Sequence, residues 1–254
     1  MSKLTDGLAR LGHTAPARLG FGPASQRERT PVMLLVGVSP PGKTARGEVA
    51  NSLDVLLVAS ADGSPATKTP AEGVWGAVVS RSSAEELDAL KEAGCDFILI
   101  ESEDAPGILL RDDGMPRGYV LQGEVSDARA RALEDSPFEF LMVDAEGTSW
   151  PLTVGQALKL QDRVSSVGKH IFLHVKELPT EADLPVLRDM PVSALVFDAA
   201  KVDSEQLKTL RSAIAELPPR KHRHEHHALL PHNGGGGGGR VEPDHDDGDD
   251  EDDW

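Results

Sequence analysis

Eight short apolar runs constrain this chain more than any other feature. They cover residues 32–38, 55–59, 74–80, 97–101, 119–125, 138–144, 171–175 and 194–198. Most begin about 20–24 residues after the previous one, with one longer step before the seventh. Short length and enrichment in β-branched residues fit strands better than helices.

The segments between the runs read as helices. Ser83 and Glu86 form a capping-box pattern, in which each side chain satisfies one N–H group left unpaired in the first turn. Leu87, Leu90 and Ala93 then make an apolar stripe that Gly94 ends. Asp203 and Gln206 open a similar helix backed by Leu207, Leu210 and Ile214, and Thr180 with Asp183 begins a shorter one. Residues 154–167 place Ala157, Leu158, Leu160 and Val164 on one broad face. The second and third units are weakest: 45–51 leaves room for about two turns, and Pro65 and Pro70 oppose a regular helix. Alternating strands and helices specify a parallel sheet with crossovers, and eight such units close into a barrel. The expected fold is α/β, a single TIM-type (β/α)8 barrel over residues 31–217. An open doubly wound sheet uses the same units with fewer strands.

The flanks differ in composition. Residues 1–30 read as an N-terminal arm in which Leu4, Leu8 and Leu11 allow a short helix. Residues 218–254 are expected to be disordered: they hold a histidine cluster, glycines at 234–239, and nine acidic residues within 241–254. The acidic end of this tail, residues 240–254, carries about half of the net charge of −16. Such a charge opposes nucleic acid and anionic membranes as partners, and the acidic tail suits a basic protein. The N-terminus has no signal-like stretch, no run nears the roughly 18 apolar residues of a membrane span, and Cys95 is the sole cysteine. A cytoplasmic protein is expected. Cys95 fits a small buried residue at a strand entrance better than a catalytic thiol.

In a barrel, active sites form at the C-terminal ends of the strands. Alternation along the runs sends Ile98, Ile100, Leu141, Val143, Ile171, Leu173, Leu195 and Phe197 toward the helices. The inward series, such as Phe140, Met142, Asp144 or Phe172, His174, Lys176, then end in ionisable groups. Glu101, Asp144, Lys176 and Asp198 are the candidate catalytic residues. Carboxylates opposite a lysine push pKa values apart and create proton donors and acceptors. Ser60, Asp62, Ser80, Arg81, Glu124 and Trp150 are candidate substrate-binding residues of the same rim. His174 lies one layer deeper and reads as a hydrogen-bonded core histidine. The cofactor is left undetermined. Convergent carboxylates suit a divalent metal, and His222, His224, His226 and His227 in the tail have ligand-like spacing.

Two phosphate signals can be weighed. The loops after the last two runs, Glu177-Leu178-Pro179-Thr180 and Ala199-Ala200-Lys201-Val202, contain no glycine, so the phosphate cradle common in barrels is not expected there. The segment Gly37-Val38-Ser39-Pro40-Pro41-Gly42-Lys43-Thr44 matches a P-loop pattern, yet Pro40 and Pro41 remove two of the N–H groups that such a loop uses. The leading expectation is an enzyme for a small polar metabolite, a lyase, isomerase or hydrolase with an acidic rim. A non-catalytic scaffold with a metal-binding or charged tail, and a P-loop-like nucleotide-binding protein, are the alternatives.

Overall fold

The computed structural model describes residues 2–12, 30–40, 47–59, 73–111, 114–165 and 167–219. Helix α1 (Lys3–Arg10) precedes strands β1 (Leu34–Ser39), β2 (Val55–Val58), β3 (Val74–Val79), β4 (Phe97–Ile100), β5 (Arg117–Leu121), β6 (Phe140–Asp144), β7 (His170–His174) and β8 (Val192–Asp198). The strands pair in sequence order, all parallel, and β8 returns to β1 to close the barrel. Between them lie α2 (Gly47–Asn51), α3 (Ala84–Glu92), α4 (Asp127–Glu134), α5 (Val154–Ser165) and α6 (Leu184–Asp189), and α7 (Ser204–Glu216) follows β8. Among its described residues, the β4–β5 crossover carries only a four-residue 3-10 helix, Gly107–Leu110. The fold is a TIM-type (β/α)8 barrel.

Local signals account for several elements. Ser83 with Glu86, and Asp203 with Gln206, form complete capping boxes at α3 and α7. Three expectations need correction. Strand β5 spans 117–121 rather than 119–125: Arg117 and Gly118 pair with Ile98 and Leu99, and the chain turns away at Gly123, whose φ is +69°. Helix α6 begins at Leu184 rather than near Thr180, and its preceding Asp183 makes no side-chain cap. On α5, Leu160 and Val164 are buried but Leu158 is 65% exposed, so the apolar face is narrower than its spacing suggests.

Strand alternation divides the apolar residues into two cores. Ile98, Ile100, Leu141, Val143, Ile171, Leu173, Leu195 and Phe197 belong to the layer between sheet and helices. Val36, Leu57, Phe97, Leu99, Phe140, Phe172 and Val196 fill the barrel. Leu4 and Leu8 of α1 join this inner cluster. Asp96, immediately before β4, accepts hydrogen bonds from Ser2 Oγ (2.6 Å), Lys3 N (2.9 Å) and Leu4 N (2.8 Å). A carboxylate there satisfies the first N–H groups of α1 and suits the positive end of its dipole. The helix thereby lies across the N-terminal end of the barrel, away from the strand ends where a site forms.

The interior is built around aromatic rings. Phe140 stacks on Phe172 at 4.1 Å between centroids and meets Phe97 edge-on at 5.6 Å. Neighbouring strands make room by lacking side chains. A Cβ on Gly118 would stand 2.2 Å from the Phe140 ring, and one on Gly76 would stand 2.4 Å from Phe97. Phe140 is held on two sides, so it has little freedom to yield. Gly118→Ala is expected to destabilise the fold by about 1–3 kcal/mol through overpacking. Adding Phe140→Leu should recover part of that loss, which denaturant unfolding of the single and double variants measures. An unchanged midpoint for Gly118→Ala would contradict the packing argument.

Candidate functional site

The inner core ends at the C-terminal side in a half-buried apolar layer, Val38, Val78, Val120 and Met142, drawn from four strands. Above it sit the polar strand ends. Register pairs Asp144 of β6 with His174 of β7, and their side chains meet: His174 Nδ1 lies 2.9 Å from Asp144 Oδ2. Both remain partly open, with side-chain exposures of 30% and 41%. An ionised carboxylate only accepts hydrogen bonds, so it selects the tautomer with the proton on Nδ1. The other ring nitrogen, Nε2, then carries a lone pair, and it makes no hydrogen bond among the described residues. An oriented imidazole with a free basic nitrogen is equipped to take and return a proton. The Asp144 backbone carbonyl also accepts from Arg163 of α5 at 2.9 Å, which ties the strand end to its helix.

The other candidate catalytic residues are arranged differently from the expected acid–lysine set. Asp198 is half-buried at the end of β8, where Oδ1 accepts from Ala200 N at 2.9 Å and Oδ2 lies 3.4 Å from Lys201 Nζ. Glu101 and Lys176 are exposed beyond β4 and β7, and neither side chain has an ionic partner among the described residues. The lysine therefore faces no carboxylate in an ion pair. Asp144 pairs with His174 instead. The sequence pattern suggests a core histidine at 174, whereas its side chain is 30% exposed at the strand end. Strand alternation already puts His174 on the inward face; what the sequence lacks is the β6–β7 register that sets it beside Asp144.

Of the candidate binding residues, Ser80 is half-buried, and Arg81 and Glu124 are exposed. Trp150 is half-buried against the outer layer, and its indole N–H donates to Glu177 O at 2.9 Å. It fastens the β6–α5 loop to the β7–α6 loop. Asp183, 3% exposed, joins the same loops by accepting from Leu152 N, Thr180 N and Thr180 Oγ1. Ser60 and Asp62 lie outside the described residues, as do Lys43, Thr44, His222, His224, His226, His227 and the acidic tail. Gly37, Val38 and Ser39 of the P-loop match lie inside β1, and a Cβ on Gly37 would stand 2.4 Å from Leu53 Cδ1. That glycine serves close packing. No group of three or more His, Cys, Asp or Glu side chains placed to hold a metal occurs among the described residues.

Own side chains occupy the places where barrels often hold phosphate. Asp183 takes the Thr180 N–H after β7, and Asp198 takes the Ala200 N–H after β8. Asp203 caps Gln206 N at the start of α7, at 2.8 Å. At these three N–H groups an incoming dianion would meet a carboxylate already in place.

No protein-family model and no curated protein matches the chain. Solved structures do resemble it. One is KGPDC from Streptococcus mutans, at 13% identity and a TM-score of 0.51, covering 72% of this chain and 97% of that one. A tryptophan synthase α-subunit from Pyrococcus furiosus matches at 11% identity, with the same TM-score and coverage. Tryptophan synthase from M. tuberculosis follows at 14% identity and a TM-score of 0.50, covering 72% and 91%. These likenesses identify the architecture, a (β/α)8 barrel. At such identities the fold alone is carried over.

Cys95 is buried at the start of β4, its thiol directed to Phe97 O at 3.1 Å. Burial pushes its pKa up to about 12. At pH 8 the thiolate fraction is then on the order of 10⁻⁴, too small for useful nucleophilicity. Native protein at pH 8 should resist alkylation by iodoacetamide, and urea-unfolded protein should react promptly. Rapid labelling of the native state would reopen the thiol as a functional group.

Proposed function

We propose that this barrel is an enzyme for a small, polar, non-phosphorylated molecule bound at the C-terminal mouth. His174 acts as the general base and acid, and Asp144 orients it. The observation that carries this reading is the His174–Asp144 pair with Nε2 unpaired. The half-buried apolar layer beneath it gives a substrate a dry floor, and Asp198, Glu101 and Lys176 offer polar contacts around it. Likeness in fold to barrel enzymes supports catalysis without naming the reaction. Isomerase or lyase chemistry fits best, because both begin by moving a proton at a carbon or hydroxyl. Hydrolysis fits if His174 instead deprotonates a water. The occupied N–H groups after β7 and β8 disfavour a phosphorylated substrate. A mouth filled by Trp150 would favour the scaffold alternative, whereas the indole packs against the outer layer and donates to Glu177 O.

A panel of small hydroxy acids, amino alcohols and sugars, each with its phosphorylated counterpart where one exists, tests the proposal. Incubation in deuterated water followed by mass spectrometry detects proton exchange as well as turnover. Exchange or turnover is expected with a non-phosphorylated compound. His174→Gln should slow it by about 10²–10⁴-fold, the usual worth of a positioned acid–base group. Asp144→Asn should also slow it, through loss of the required tautomer. Wild-type rates in His174→Gln would remove the proposed mechanism.

A further inference from the structure

The β4–β5 crossover is thin, because its 3-10 helix has four residues where neighbouring crossovers carry α-helices. The outer side chains of β4 and β5 are buried, yet a recess remains above them. A cavity of about 370 Å³ lies over Ile100 and Tyr119, between Leu109 and Leu110 on one side and Leu133 and Phe138 on the other. Its size falls within the range of roughly 300–1,000 Å³ typical of small-molecule sites. The cavity is preformed. Buried Arg117 donates to the carbonyls of Leu109 and Met115 and so pins the 3-10 helix. Phe138 stacks on Tyr119 with ring centroids 5.2 Å apart.

One end of this apolar space is polar. Glu103 accepts a hydrogen bond from Tyr119 Oη at 3.0 Å and another from Arg129 Nη2. The Arg129 guanidinium also lies 5.7 Å from the Tyr119 ring centre. The Glu103 side chain is 64% exposed, so it can swing into water at little cost. Tyr119 Oη and Arg129 would then present donors to any carboxylate whose apolar body fills the cavity. Glu103 thus stands where the head group of such a ligand would lie.

We propose that this outer groove is a second ligand site, independent of the barrel mouth, for an apolar monocarboxylic acid. The hydrocarbon body lies against Ile100, Leu109 and Leu133. The carboxylate displaces Glu103 and takes the hydrogen bonds of Tyr119 and Arg129.

Calorimetric titration of the full chain with decanoate tests this, with decanol as the uncharged control. Saturable binding of one decanoate per chain is expected, and decanol should bind at least about tenfold more weakly, since a charge-assisted pair is lost. Glu103→Gln removes the internal competitor and should tighten decanoate binding several-fold. Arg129→Gln should weaken it by about tenfold or more. Ala132, exposed at the groove edge, allows Ala132→Trp to obstruct the cavity without entering a core, and this variant should abolish binding. All three substitutions are at exposed positions, so loss of folding does not confound the comparison. Absence of saturable binding in both wild type and Glu103→Gln would overturn the proposal. So would equal affinity for decanol, or affinity unmoved by Arg129→Gln and Ala132→Trp.

Discussion

The stacked rings of Phe97, Phe140 and Phe172 are the constraint on which the rest of this barrel depends. A closed sheet must fill its own interior, and three aromatic side chains occupy a large share of the space here. Their size dictates what neighbouring strands can contribute. Gly76 lies in register with Phe97, and Gly118 with Phe140, so that each ring rests over bare backbone. Slipping either strand by one residue would turn the ring outward and leave a void, because the side-chain period along a strand is two. The rings therefore fix register as well as volume.

Register, in turn, builds the candidate site. His174 is two residues beyond Phe172 and shares its inward face. Asp144 stands four residues beyond Phe140. Because β6 and β7 align Asp144 with His174, packing deep in the barrel brings an acid and an imidazole to 2.9 Å at its mouth. Leu4 and Leu8 pack into the same inner core from the opposite end. Apolar packing and proton chemistry thus lie on the same strands, one above the other.

Much of the architecture was legible because it is written in local patterns. Eight apolar runs, their alternation, and the capping boxes at Ser83 and Asp203 depend on neighbours within a few residues. Features set by distant partners were harder to read. Arg117 and Gly118 look unlike strand residues, yet one anchors the 3-10 helix and the other accommodates Phe140. Thr180 and Asp183 resemble a helix start, whereas Asp183 reaches Leu152, 31 residues away. The partnership of His174 with Asp144 spans 30 residues and exists only once β6 and β7 are paired. No periodicity within one segment announces it.

The acidic rim that the sequence displays separates into two kinds of carboxylate. Asp183, Asp198 and Asp203 accept from backbone N–H groups of the loops and helix start beyond β7 and β8. Their charge holds loops in shape, and it blocks the donors that an anionic substrate would seek. Asp144 instead accepts from a side chain that can itself change protonation. A carboxylate bound to a backbone amide has no proton to relay, whereas one bound to imidazole sets which ring nitrogen carries the proton and which keeps its lone pair. An excess of acids at a barrel mouth is therefore weak evidence of catalysis by itself. What distinguishes Asp144 is its partner, and this is why the proton-transfer reading rests on the pair and not on the number of acids around it.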